Sequence, residues 1–72
     1  MSYGEDRVYK KIEVVGVSTA GIENAIQAAV NRAHATLEKV SWFEVKEIRG
    51  HIDDDGKVAE YQVRLKIAFK LS

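Results

Sequence analysis

The C-terminal part of the chain alternates most regularly. From Val58 to Leu71, apolar side chains fall at every odd position: Ala59, Tyr61, Val63, Leu65, Ile67, Phe69 and Leu71. Glu60, Gln62, Arg64, Lys66 and Lys70 stand at even positions between them. A period of two predicts a strand with one face on a core and the other in water. Arg7 to Val17 reads as a first strand, with Val8, Ile12 and Val14 on one face and Tyr9, Lys11, Glu13, Val15 and Val17 on the other. Between these lies a helical pattern. Ile22, Ala25, Ile26, Ala29, Val30, Ala33, Leu37 and Val40 recur at the spacing of one helical stripe, which predicts a helix running to about Lys39. Ser18 is the expected N-cap, with Thr19 as the alternative. Alanines at or beside the stripe keep the helix slim enough to lie close on a curved sheet.

The second strand, Ser41 to Ile52, breaks its own alternation. Phe43 and Val45 share a face and are the expected core-facing pair, which turns Trp42 and Glu44 to the opposite face. Ile48 and Ile52 then lie on the Trp42 parity, so a bulge is expected near Lys46-Glu47 to return them to the core side. Asp53-Asp54-Asp55-Gly56-Lys57 follows. Three acids before a glycine hint at a calcium loop, but the remaining ligand positions are missing, and a hairpin turn with Asp-Gly at its tip is favoured.

The predicted order is β-α-β-β, an α+β fold of two layers. A crossover after the first strand and a hairpin between the second and third place the third strand in the middle of a three-stranded antiparallel sheet, order 1-3-2, partly wrapped around one helix. The first and second strands are then open edges, which favours assembly.

Length sharpens that expectation. Seventy-two residues make one domain, 1–72, with a loose end at Met1 to Asp6. A chain so short buries only about 60% of the surface its unfolded form exposes. Cysteine is absent, so no disulfide can supply the shortfall. Neither His34 nor His51 has partners at metal-ligand spacing; His34 reads as a solvated helix residue, and no metal site is expected. Self-association is the remaining way to stabilise the fold. Eleven basic residues balance eleven acidic ones, so a nucleic-acid footprint is not expected. No apolar run approaches the ~18 residues of a membrane span. The chain reads as soluble and cytoplasmic.

Catalysis finds little support. No nucleophile is paired with a histidine in a recognisable pattern, and no phosphate-cradling glycine loop is present. Binding finds more. Trp42 and Gln62 fall on the same outer face of neighbouring strands, an indole beside a carboxamide, which suits a planar heteroaromatic ligand. Arg49, beyond the bulge, adds charge for a phosphate or carboxylate. A tryptophan buried in a subunit interface explains the same placement, and the pattern alone leaves both readings open.

Several motifs go beyond pattern. Val8-Tyr9-Lys10-Lys11-Ile12-Glu13, Val15-Gly16-Val17-Ser18, Ala25-Ile26-Gln27, Trp42-Phe43-Glu44-Val45, Arg49-Gly50-His51 and Tyr61-Gln62-Val63 occur in order. Together they resemble the dodecin family over nearly the whole chain from Val8 to Leu71. Dodecins are small flavin-binding proteins whose subunits assemble into hollow dodecamers and serve in flavin storage, buffering or photoprotection rather than catalysis. The resemblance implies a homododecamer with FMN as cofactor, riboflavin and FAD being the alternatives. It implies Trp42 stacked on the isoalloxazine, Gln62 on the polar edge of the ring, and Arg49 near the ligand or in the intersubunit ion-pair network. Some bacterial members also bind coenzyme A, for which Lys10 and Arg32 are the candidates here. The chain departs from the family pattern at Ser41, where many members have aspartate. It departs again at Lys70, where arginine is usual, and in a turn one residue longer than in some members.

Overall fold

A computed structural model describes residues 6–71. The expected loose end at Met1 to Asp6 lies, Asp6 apart, outside them. The elements follow in the expected order: β1 (Tyr9–Ser18), α1 (Ile22–Thr36), β2 (Val40–Ile52) and β3 (Val58–Lys70). The sheet is antiparallel, with order β1-β3-β2. Val63, Leu65 and Ile67 of β3 are fully buried beneath Ala25, Ala29 and Ala33 of α1. Ile12 and Val14 flank this core from β1, and Ile26, Val30, Leu37 and Val40 close it from the helix side.

Small residues let the two layers come this close. At Gly16, opposite Val63, an added Cβ would lie 2.0 Å from the carbonyl oxygen of Ala25 and 3.2 Å from the Ala29 methyl. No other residue fits without displacing the helix.

Three expectations are corrected. The helix ends at Thr36 rather than near Lys39: Leu37 is extended (φ −118°, ψ 142°), and Lys39 adopts φ 61°. The apolar spacing outran the helix because Val40 reaches the core from the first position of β2 and Leu37 from the connection. There the Lys39 carbonyl accepts a hydrogen bond from the Lys70 amide at 3.1 Å. Neither Ser18 nor Thr19 caps the helix. Ser18 closes β1, and its Oγ accepts the Ala20 amide at 3.0 Å. The N-cap is Gly21, without a side-chain bond, and its carbonyl accepts the Ala25 amide. The first strand starts at Tyr9 rather than Arg7.

Phe43 and Val45 do share the helix-side face, opposite Ile67 and Leu65. Yet they stay 46% and 41% exposed because α1 lies over β1 and β3 and barely reaches β2. The predicted bulge is present. Val45 pairs with Leu65 and Glu47 with Arg64, so Lys46 is the extra residue, and Ile48 returns to the core side opposite Val63. The hairpin turns at Asp53–Lys57 with Gly56 at φ 81°, and Asp53 Oδ1 accepts the amides of Asp55 and Lys57.

The result is a long, thin unit of 56 × 20 × 18 Å with a radius of gyration of 15.3 Å. A compact chain of this length would have about 11 Å. Most of β2 therefore projects past the cover that this chain provides.

Candidate functional site

The face of the sheet away from the helix is a charged lattice with one aromatic end. Because paired residues share a face, the register sets its rows: Lys11-Ala68-Trp42, Glu13-Lys66-Glu44, Val15-Arg64-Glu47 and Val17-Gln62-Arg49. Trp42 therefore points outward, as its parity requires, and stays 42% exposed.

Its ring is tied down on two sides. The Tyr9 ring lies against it with centroids 4.8 Å apart at an interplanar angle of 56°, an attractive tilted arrangement. The indole Nε1–H donates to Glu44 Oε2 at 3.2 Å. Glu44 in turn receives Lys11 Nζ at 2.6 Å and Lys46 Nζ at 3.2 Å. The bonds from Lys11, Trp42 and Lys46, in that order of effect, hold the Glu44 carboxyl down to about 2. Further along, Arg64 bridges Glu13 (3.5 Å) and Glu47 (3.4 Å). Exposed ion pairs of this kind contribute about 0–1 kcal/mol each, so the lattice sets geometry more than stability.

Gln62 shares this face, but not this site. It pairs with Arg49, and its Nε2 donates to Glu60 Oε2 at 2.8 Å. Ala68, the partner of Trp42, lies six positions along β3 from Gln62, a span of roughly 20 Å at 3.3 Å per residue. The expectation of an indole beside a carboxamide is thus corrected within one chain: the face is shared, while the distance is too long for one ring system. Arg49 and Gln62 are neighbours, and Trp42 stands at the other end.

Lys10 and Arg32 are not brought together either. Arg32 lines a groove of about 440 Å³ between β1 and α1, with Val14, Gly16, Ala28 and Thr36 among its walls. Lys10 pairs with Phe69 on the helix-side face and is not among the residues that line it. His34, exposed on α1 as expected, borders a smaller cavity of about 210 Å³ beside Ser41, Trp42 and Phe43. The Ser41 hydroxyl, near the start of β2, donates to the Lys39 carbonyl two residues back at 2.9 Å.

Sequence reasoning missed Tyr9, Glu44 and Ala68 as parts of the tryptophan's surroundings. One signal was available. After Val58 at its start, Ala68 is the even position of β3 that interrupts a charged or polar series, and its register partners are Lys11 and Trp42.

Among the described residues, no group of three or more His, Cys, Asp or Glu side chains is placed to hold a metal ion. No helix among them is long and apolar enough to cross a membrane. One helix on a long antiparallel sheet, whose free face carries an aromatic pair pinned in a charged lattice, defines a class of small β-α-β-β proteins. The chain belongs to the dodecin family: the sequence model of that family, Dodecin, matches residues 8–72. It is 58% identical to the dodecin of Thermus thermophilus over 65 residues, covering 90% of this chain and 93% of that one. It is 33% identical to the calcium dodecin of Mycobacterium tuberculosis over 64 residues, covering 89% of each. The solved Thermus thermophilus structure superposes with a TM-score of 0.86 at 57% identity, covering 93% of this chain and 97% of that one. The dodecin of Streptomyces coelicolor gives a TM-score of 0.86 at 47% identity, covering 100% of this chain and 97% of that one. The two-layer β-α-β-β fold with order 1-3-2 is therefore that of the family.

Proposed function

We propose that this chain is a flavin-binding protein that stores, buffers and shields FMN, held against Trp42 in a homododecamer. The observation that carries this reading is the only tryptophan of the chain, outward on the sheet and tied in place by Tyr9 and Glu44. A flat ring presented to solvent in a fixed attitude suits a flat heteroaromatic ligand. Gln62 offers both donors and acceptors for the polar edge of such a ring, and Arg49 beside it offers a cation for a phosphate. The residues fit a flavin on these terms, with riboflavin or FAD as the alternative ligands.

Assembly follows from the same geometry. Since Trp42 and Gln62 stand roughly 20 Å apart along one sheet, a ligand that touches both lies between copies. The exposed side chains of Phe43, Val45, Ile48 and Ile52 on β2 supply an apolar surface for contact with another copy. The role is binding rather than catalysis, because a ring face, a carboxamide and a guanidinium hold a ligand without transforming it. A flavin stacked on indole can lose absorbed light energy by transient electron exchange with the ring, which is the basis proposed for shielding. A cytoplasmic location goes with this reading. A coenzyme A site retains only Arg32 in the groove beside β1, without Lys10.

The structural alternative makes Trp42 an interface anchor with no ligand, and its partial exposure is compatible with that. Replacing Trp42 by alanine separates the two. Loss of stacking, about 1–3 kcal/mol, should weaken FMN binding by about 5- to 150-fold, with the oligomer intact by light scattering. Dissociated subunits, with no flavin bound by the parent protein, would favour the anchor reading instead.

A further inference from the structure

Tyr9 and Lys11 belong to one edge strand, Trp42 and Glu44 to the other, with the full width of β3 between them. At about 4.8 Å per strand, the two backbones stand roughly 9.6 Å apart. Their side chains nevertheless meet, ring against ring at 4.8 Å and ammonium on carboxylate at 2.6 Å. What lies between them is Ala68, 1% exposed, whose methyl group is low enough for the four side chains to close over it.

We propose that Glu44 is the positioning residue of this surface: clamped by Lys11 and Lys46, it holds the Trp42 indole N–H and, with Tyr9 against the ring, presets the attitude in which the indole meets a stacking ligand. This rests on the flavin reading and deepens it. An outward tryptophan without such ties samples several staggered rotamers, and binding must then select one of them. Fixing the ring beforehand removes that ordering cost, a factor of about three to ten in affinity. The Glu44 carboxylate against the indole N–H also enriches the ring face in electron density, which favours an electron-poor heteroaromatic partner. Lys11 and Lys46 aim the carboxylate and extend its ionised range toward acid pH, so the clamp stays set well below neutrality. Ala68 is its floor, and a larger side chain there would part Tyr9 from Trp42.

The test reads the indole directly, since Trp42 is the only tryptophan. Time-resolved fluorescence anisotropy of the ligand-free assembled protein measures how freely the ring moves, and titration with riboflavin measures affinity. Glu44→Ala should introduce a fast depolarisation component absent from the parent protein and weaken riboflavin binding about three- to tenfold. Glu44→Gln, which keeps an acceptor oxygen without the charge, should fall between them, and Lys11→Met should show the same defect in weaker form. An anisotropy decay or an affinity that Glu44→Ala leaves unchanged overturns the proposal. If the ring is freed by Glu44→Ala but the parent protein binds neither riboflavin nor FMN, the clamp stands and the flavin function falls.

Discussion

Replacing Gly16 by alanine should unsettle the whole subunit, although the change adds one methyl group. An ideal Cβ at this position lies 2.0 Å from the Ala25 carbonyl oxygen and 2.9 Å from its carbon. Reaching ordinary contact demands a displacement of more than 1 Å, and the obstacle is helix backbone rather than a flexible side chain. Ala25 cannot yield easily, because it is fully buried and packed with Val63 and Leu65 in the core. Overpacking of this kind costs about 3 kcal/mol, the upper end of its usual range. Reduced freedom of the unfolded chain returns about 0.4–1 kcal/mol, which leaves a net loss near 2 kcal/mol. For a domain of this size, that lowers Tm by about 8–16 °C. Thermal and urea unfolding should be followed at one fixed protomer concentration, since assembly itself adds stability. Gly50→Ala is the matched control: its Cβ would meet the Glu60 carbonyl oxygen at 3.4 Å and Val58 Cγ1 at 3.5 Å, ordinary contacts. It should change stability by less than about 1 kcal/mol. A Gly16→Ala protein as stable as its parent would refute the argument that backbone contact sets the helix-to-sheet distance.

Further expectations follow from the outer face and from β2. The Glu44 carboxyl is lowered from 4.5 to about 2, so its stabilising contribution is complete above the unfolded-state value and fades as pH falls toward 2. Acid titration of Trp42 fluorescence should show a transition centred near pH 2. Glu44→Gln should lack it, and its presence in that variant would assign the transition to another group. Phe43→Asp should leave the subunit's own core untouched, since Phe43 is 46% exposed within the chain. It should nonetheless shift the protein toward smaller species in analytical ultracentrifugation, and an unchanged oligomer would place the assembly surface elsewhere.

Much of this architecture was legible in the residues. The alternation of β3 marked it as a strand, and the crossover and hairpin put it in the middle of the sheet. The misplaced parity of Ile48 put the bulge near Lys46-Glu47, because a period-two pattern records every slip of register. The three buried alanines of α1 announced a close helix. The helix end was illegible, because Leu37 and Val40 keep a helical spacing while reaching the core from the connection and from the start of β2. The exposure of Phe43 and Val45 was hidden for a different reason. Alternation tells which face a residue occupies but not whether this chain supplies its cover. The candidate site was read half correctly on the same grounds. Parity put Trp42, Gln62 and Arg49 on one face, whereas their separation along the strand depends on the pairing register, which the bulge shifts. The ties from Tyr9 and Lys11 across Ala68 span three strands, and no local pattern encodes a contact of that range.

The most direct test of the flavin-binding account is the absorbance spectrum of the protein during size-exclusion chromatography, run with added FMN and again with riboflavin. Flavin absorbance coeluting with a species of about twelve subunits, its fluorescence quenched by the stacked indole, is the result the account predicts. A large oligomer that elutes colourless after exposure to both ligands would contradict the flavin function. A colourless monomer would contradict the assembly as well.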